Sequence, residues 1–349
     1  MNLRDTAPNS ILLVRLSAIG DIVMTSGLLP CLCAAWPEIR IGWLTEETNA
    51  DLLRYNPRLA RLHLWPRRHW RELRRTGKYR ELLGAATELI RELRAEQYDW
   101  VLDLQGLMKS GLWARLAGGR QWIGLGSREG SQWLMHEVLD RQTDDPRMGR
   151  EYRKLAAWLG ADAGNFAPDI AISQEDRDSA SALLRNLGVT GTYTVFAPFT
   201  TRPQKHWLDA RWAELAVRLE YPVVLLGGSG NRERAGLIRA GGESRILNLT
   251  GRTSLGQCAA IIEHAKLLIG VDTGLTHLGI ALETPTLALF GSTRPYLDAG
   301  RANARVLYHS LPCSPCRRRP TCDGRFDCMA LHTAESVANT AQRLLQSRP

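Results

Sequence analysis

The sequence predicts an α/β fold made of two Rossmann-like halves, each a parallel sheet wrapped by helices. Short apolar stretches alternate with helix-like stretches along nearly the whole chain, the pattern of a parallel sheet covered on both faces. The alternation is interrupted once, by the small-residue and proline stretch 160–168, and then restarts. Toward the end, IGVDTGLTHLGIALETPTLALFGST (residues 269–293) reads as strand, turn, helix and second strand. A chain of 349 residues is long enough for two domains of ordinary size. We expect an N-terminal domain over residues 1–165 and a C-terminal one over 166–349, with ligands held in a cleft between them.

In the first half, apolar runs at 11–16, 39–44, 62–65, 100–104 and 122–124 are the expected strands. Helical patterns follow the turn at Asp21 through residue 35, then occupy 81–96, 109–116 and 150–159. The second half opens with a helix over 175–187, announced by Ser173 and Asp176 in capping-box spacing. Strands at 193–197, 223–226, 245–249, 267–271 and 286–290 then alternate with helices at 209–219, 232–239, 255–264 and after residue 274. A helix over 333–345 closes the chain, with no strand after it.

Hydrophobic residues make up 44% of the chain, which excludes a mainly disordered protein. No apolar run approaches the ~18 residues needed to span a bilayer. Arg4 and Asp5 precede a short strand where a signal peptide would carry a long apolar region. A cytoplasmic location is expected. The formal charge is +9, and residues 66–80 alone carry seven Arg or Lys against one Glu. Such an excess suits a polyanionic partner: nucleic acid, a phosphorylated glycolipid or an anionic membrane face. Trp70 and Tyr79 lie among these charges, and Arg317, Arg318 and Arg319 form a second cluster.

Of seven cysteines, Cys31, Cys33 and Cys258 sit in apolar helical stretches and read as small core residues. Cys313, Cys316, Cys322 and Cys328 form a C-x2-C-x5-C-x5-C cluster on a Pro- and Arg-rich segment. They are a candidate structural zinc site, because four thiolates complete a closed tetrahedron; the alternative is a reduced loop whose cysteines pack.

The turn at Asp272-Thr273-Gly274 joins a strand to a helix, so backbone N–H groups and a positive dipole end face whatever occupies it. His277 follows Thr273 by one helical turn on the same face. A P-loop is excluded by the absence of G-x-x-x-x-G-K-[ST]. The glycines at 227, 228 and 230 lack the third glycine of a dinucleotide fingerprint, which weakens a nicotinamide oxidoreductase. After the strand at 193–197, Thr200, Thr201 and Lys205 offer two hydroxyls and a cation. That set suits the pyrophosphate of a nucleotide sugar, whose leaving group gains negative charge. The only D-x-D, Asp176 and Asp178, lies in the first turns of a helix and reads as structural. In VRLSAIGDIVMT, Asp21 stands at a strand-to-helix turn, where a carboxylate could take the proton of an attacking hydroxyl or merely stabilise the helix start. Asp103, ending a strand at DLQG, reads as an orienting acceptor.

The motifs VRLSAIGDIVMT, LDLQGLMKSGL, TTRPQKHW and GVDTGLTHLGIALETPTLALFGST, in this order across nearly the whole chain, resemble the lipopolysaccharide heptosyltransferases of glycosyltransferase family 9. PRRHWRELRR followed by YDWVLDLQGLMKS is most similar to the heptosyltransferase I branch. The resemblance implies a GT-B fold and inverting, metal-independent transfer of heptose from ADP-L-glycero-D-manno-heptose to the Kdo/inner core of lipopolysaccharide. It implies Asp21 as catalytic base, and Thr200, Thr201, Lys205, Glu233, Asp272, Thr273, Gly274 and His277 as donor-binding residues. For the phosphorylated glycolipid acceptor it implies Arg67, Arg68, Lys109 and Arg128, in line with the affinity of arginine for phosphate and carboxylate. The four-cysteine tail is more typical of heptosyltransferase II-like members. The expected enzyme needs no cofactor for catalysis and touches the cytoplasmic face of the inner membrane peripherally. Rival readings are a related transferase with heptosyl-Kdo-lipid A or another nucleotide sugar, a non-enzymatic nucleotide-sugar sensor, and a basic nucleic-acid-binding protein. The last leaves the DTG and TT-x-K motifs without a purpose, so no nucleic-acid partner is expected.

Overall fold

A computed structural model of the chain describes residues 7–242, 245–316 and 319–346. Arg4, Asp5, Arg317 and Arg318, named above, lie outside the described residues. The chain forms two compact units. One comprises the residues up to Asp145 together with Gly149–Ala171, the other Pro146–Met148 together with the residues from Ile172 onward.

The first unit is built on strands β1 (Ser10–Val14), β2 (Arg40–Glu46), β3 (Arg61–Trp65), β4 (Trp100–Asp103), β5 (Gln121–Leu125) and β6 (Glu137–Leu139). They form one parallel sheet in the order β3-β2-β1-β4-β5-β6. The second unit uses β7 (Thr194–Ala197), β8 (Val223–Leu225), β9 (Ile246–Asn248), β10 (Leu267–Val271), β11 (Thr286–Phe290) and β12 (Ala304–Tyr308), in the order β12-β11-β10-β7-β8-β9. Counted within each unit, both orders are 3-2-1-4-5-6, the doubly wound Rossmann arrangement. Central strands β1, β4, β7, β10 and β11 are buried along their whole length, as helices on both faces require.

Neither β6 nor β12 was expected from the sequence. Both are edge strands, largely uncovered on one side, and their residues EVL and ARVLY carry little of a continuous apolar run. The basic stretch also differs from expectation: Arg67–Arg75 is itself a helix, and the next helix begins at Tyr79. Leu73 is buried and Trp70 packs against Trp65 and Trp113, so the helix is anchored through its few apolar residues. The small-residue stretch 160–168 packs onto the first unit: the Phe166 ring lies against Gly27 and Gly149, and Arg153 stacks on it. Ser26 Oγ accepts the Asp169 N–H at 2.8 Å.

In the second unit the last helix, Ala334–Gln346, buries Ala334, Val337, Ala341 and Leu344 in a core shared with Trp207 and Trp212. Asp176 and Asp178 are structural in geometry: Ser173 Oγ accepts the Asp176 N–H at 2.9 Å, and Asp178 accepts from Gln174 at 2.9 Å. Among the described residues, no helix is long and apolar enough to cross a membrane.

Candidate active site

In a doubly wound sheet, the carboxyl ends of the two central strands diverge and leave a crevice where ligands bind. The first unit places Asp21 and Asp103 just beyond β1 and β4, and the second places Thr200, Lys205 and Asp272 just beyond β7 and β10. These are the two strand pairs at which strand order reverses.

Beyond β10, Asp272 is buried and accepts three contacts. Lys205 Nζ lies 2.6 Å from its Oδ2, His277 Nε2 lies 3.2 Å from its Oδ1, and the Thr293 hydroxyl donates to Oδ2. Burial alone would raise the Asp272 carboxyl, but the His277 imidazole and the Lys205 ammonium outweigh it and hold it well below the usual carboxylate range. His277 Nδ1 meets the Tyr296 hydroxyl at 2.7 Å. Burial, reinforced by Asp272, pushes the Tyr296 phenol well above its ordinary value, so it stays protonated and can donate. Tyr296 and Thr293 were not singled out from the sequence; both follow the end of β11 closely, which was the available signal. Thr273 is the N-cap of helix Gly274–Ala281, yet its side chain makes no capping bond. Its hydroxyl and the N–H groups of Gly274 and Leu275 are thus uncommitted to the helix itself, while the Thr276 N–H donates to the Thr273 carbonyl at 3.1 Å.

Beyond β7, the Thr200 N–H donates to His206 Nε2 at 3.2 Å. Burial and nearby Arg234 push the His206 imidazole down to about 4, so it is the neutral acceptor this bond needs. Thr201 is exposed, and Lys205 ends the short turn Pro203–Lys205. Glu233 is exposed in the first turn of helix Arg232–Gly242. Thr200, Lys205, Asp272 and His277 are therefore brought into one connected region, whereas Glu233 belongs to the neighbouring β8 turn.

In the first unit, Asp21 lies in the first turn of helix Ile19–Ser26, with its side chain 37% exposed. Arg15, almost fully buried, places Nη2 2.5 Å from Asp21 Oδ2 and Nη1 2.5 Å from the Leu104 carbonyl. The Ala18 N–H donates to the same Oδ2 at 3.3 Å. Among the described residues Oδ1 has no partner, so an oriented carboxylate presents one oxygen to solvent. Arg15 escaped the sequence reading; a cation ending the apolar strand of VRLSAIGD was its only sign. Asp103 is fully buried and accepts the Gln105 and Gly106 N–H groups at 3.1 Å each, bonds that brace the DLQG turn.

Of the acceptor residues, Arg67 and Arg68 line a cavity of about 490 Å³ together with Glu46, Trp65 and Arg71. Glu46 pairs with both Arg67 (2.8 Å) and Lys109 (3.5 Å). Both cations also lie over the Trp65 ring, at 5.7 and 5.9 Å from its centroid. Burial and then Arg67 push the Lys109 ammonium down, with Glu46 opposing. Arg128 stands apart from Glu46, but its N–H donates to the Gly106 carbonyl at 3.0 Å, beside the start of helix Met108–Leu116.

The four late cysteines, the candidate zinc ligands, differ in burial. Among the described residues, no group of three or more His, Cys, Asp or Glu side chains is placed to hold a metal ion. Cys322 and Cys328 are buried while Cys313 and Cys316 are partly exposed. The Cys328 thiol, in the core of the second unit, is pushed up to about 11 by burial and by its cysteine neighbours.

Two Rossmann units with charged groups at both strand-order reversals fit a nucleotide-sugar transferase of GT-B type. Residues 86–325 match the family model described as glycosyltransferase family 9 (heptosyltransferase). The chain belongs to that family. It is 32% identical over 322 residues to lipopolysaccharide heptosyltransferase 1 of Pseudomonas aeruginosa, covering 89% of this chain and 87% of that one. It is 30% identical to lipopolysaccharide heptosyltransferase 1 of Escherichia coli, covering 83% of this chain and 90% of that one. Among solved structures, a family 9 glycosyltransferase from Veillonella parvula shares the fold with a TM-score of 0.83 at 24% identity, covering 97% of this chain and 98% of that one. The E. coli heptosyltransferase WaaC with ADP-2-deoxy-2-fluoro heptose gives a TM-score of 0.69 at 26% identity, covering 96% and 99%.

Proposed function

We propose that the chain transfers heptose from ADP-L-glycero-D-manno-heptose to the Kdo sugar of the lipopolysaccharide inner core, with inversion and without a metal ion. The observation that carries this reading is the Lys205 ammonium, locked on Asp272 beside the free start of helix Gly274–Ala281. Such a cation beside a helix N-terminus supplies fixed positive charge where a diphosphate leaves, the task a divalent ion performs in other transferases. Thr200, Thr201, Thr273 and Gly274 line the same turns and hold the donor, with Glu233 contacting it from the neighbouring β8 turn. Asp21 Oδ1 removes the proton of the acceptor hydroxyl. The deprotonated hydroxyl oxygen of the acceptor bonds to the anomeric carbon as the carbon–phosphate-oxygen bond breaks, and ADP departs with the electron pair. Arg67, Arg68, Lys109 and Arg128 bind the phosphates and carboxylates of the acceptor. The enzyme works in the cytoplasm and meets its lipid-borne acceptor at the inner face of the membrane.

Support comes from the relatives named as lipopolysaccharide heptosyltransferase 1 and from the WaaC structure whose ligand is an ADP-heptose analogue. The test is a transfer assay with ADP-heptose offered Kdo-lipid A or heptosyl-Kdo-lipid A. Transfer to the first alone is expected. Transfer only to the second would reassign the acceptor, and ADP binding without any turnover would make the chain a sensor.

A further inference from the structure

Apart from Lys109 at its edge, helix Met108–Leu116 has an outward face that neither the donor turns nor the acceptor cations use. At about 3.6 residues per turn, Arg115, Met108, Leu112, Leu116 and Lys109 succeed one another around one arc. Ser110, Gly111, Trp113 and Ala114 form the buried arc opposite. The outward arc is therefore apolar in the middle and cationic at both edges. Leu112 is 47% and Leu116 37% exposed. Trp133, 83% exposed and the most open large apolar residue described, extends the stripe. A side-chain carbon at Gly130 would stand 2.6 Å from Met108 Cε and 3.2 Å from the Trp133 ring, so the two side chains meet over that glycine.

Charge around this face is mainly positive, the exceptions being Glu129 beside Gly130 and Glu46, the partner of Lys109. Between Asp103 and Glu129 the sequence holds no Asp or Glu, but it holds Lys109, Arg115, Arg120 and Arg128. Leu and Trp in water with arginine and lysine at the flanks are what an interfacial helix presents to a bilayer: apolar groups enter below the headgroups while the cations reach the phosphates. Lys109 closes the arc on the side of Glu46 and Trp65, so the apolar stripe runs directly into the cationic cavity.

We infer that the outward face of helix Met108–Leu116, with Trp133, is a docking surface for an anionic lipid bilayer. Seating this face on the membrane sets the Glu46–Arg67–Lys109 cluster at headgroup level, where an anionic glycolipid headgroup lies. The purpose of the surface rests on the lipid-borne acceptor proposed above; the binding itself does not.

The purified chain is floated with vesicles of phosphatidylethanolamine and phosphatidylglycerol, and in parallel with phosphatidylcholine alone. The triple variant Leu112→Ser, Leu116→Ser, Trp133→Ser is compared with it. The wild-type chain should float with the anionic vesicles, less at high salt, and weakly with the neutral ones. The variant should lose at least about tenfold in partition, since three apolar side chains no longer leave water. Its melting temperature and its transfer to a water-soluble, deacylated acceptor should be unchanged. Equal flotation of variant and wild type overturns the inference. So does loss of a dimer in gel filtration without loss of flotation, which would make this face a contact between copies. A chain that floats as described but transfers no heptose leaves the surface standing and removes the functional reading instead.

Discussion

Replacing Lys205 with methionine separates two roles that the structure assigns to one ammonium group. Lys205 Nζ is 2.6 Å from Asp272 Oδ2, and only 18% and 10% of the two side chains is exposed. Removing one partner of a buried pair typically costs about 3–5 kcal/mol. Asp272 keeps its bonds from His277 and Thr293, so the loss is nearer one charge-assisted hydrogen bond, about 1.5–3 kcal/mol. For a domain of this size, that lowers the melting temperature by about 3–12 °C. If the same ammonium also meets the donor diphosphate, ADP affinity falls about ten- to a hundredfold. Asp272→Asn serves as the control: it should cost comparable stability while leaving Lys205 free to meet ADP. Scanning fluorimetry reads the first effect and titration calorimetry with ADP the second. Unchanged ADP affinity in Lys205→Met, alongside the thermal loss, would reduce Lys205 to an ion-pair partner. An unchanged melting temperature would refute the buried-pair reasoning itself.

Asp21→Ala should lower turnover by about 10²–10⁴-fold with ADP binding retained; turnover near that of the wild type would remove the assigned base. Glu46→Gln should raise the KM for the acceptor about fivefold, about 1 kcal/mol, by releasing Arg67 and Lys109, with the KM for the donor unchanged. Transfer should persist in excess EDTA, because Lys205 and the helix start supply the positive charge; complete loss, restored by a divalent ion, would refute a metal-free mechanism. Stability should fall as pH drops. Folded His206 takes a proton only near pH 4, whereas an unfolded histidine does so near about 6.5, so the unfolded state binds more protons between those values. The contribution of Asp272, present above about pH 4, is lost at still lower pH as its depressed carboxyl protonates. Thermal melts from pH 7.5 to 4.5 should flatten in His206→Gln; an identical slope would show that another group governs the acid limb.

Most strands were legible as short apolar runs because helices cover them, and most helices as a one-faced apolar periodicity. β6 and β12 were not, because their residues EVL and ARVLY are largely uncovered and carry no such run. The helix Arg67–Arg75 was hidden by its arginines, since only Leu73, Trp70 and their neighbours anchor it. Stretch 160–168 interrupts the alternation in the sequence, yet the Phe166 ring fills space that Gly27 and Gly149 leave open.

By itself the sequence determined the doubly wound class and the positions of Asp21, Lys205, Asp272 and His277 at strand ends, because local periodicity and turn chemistry are properties of neighbours in the chain. Partnership between residues distant in sequence is not. That Arg15 braces the Leu104 carbonyl, that Glu46 gathers Arg67 and Lys109, and that Tyr296 and Thr293 complete the Asp272 network was decided only by the tertiary structure. Strand order set these contacts: it brings the ends of β1 and β4, β2 and β3, and β10 and β11 side by side, and the charges must pair where the ends meet.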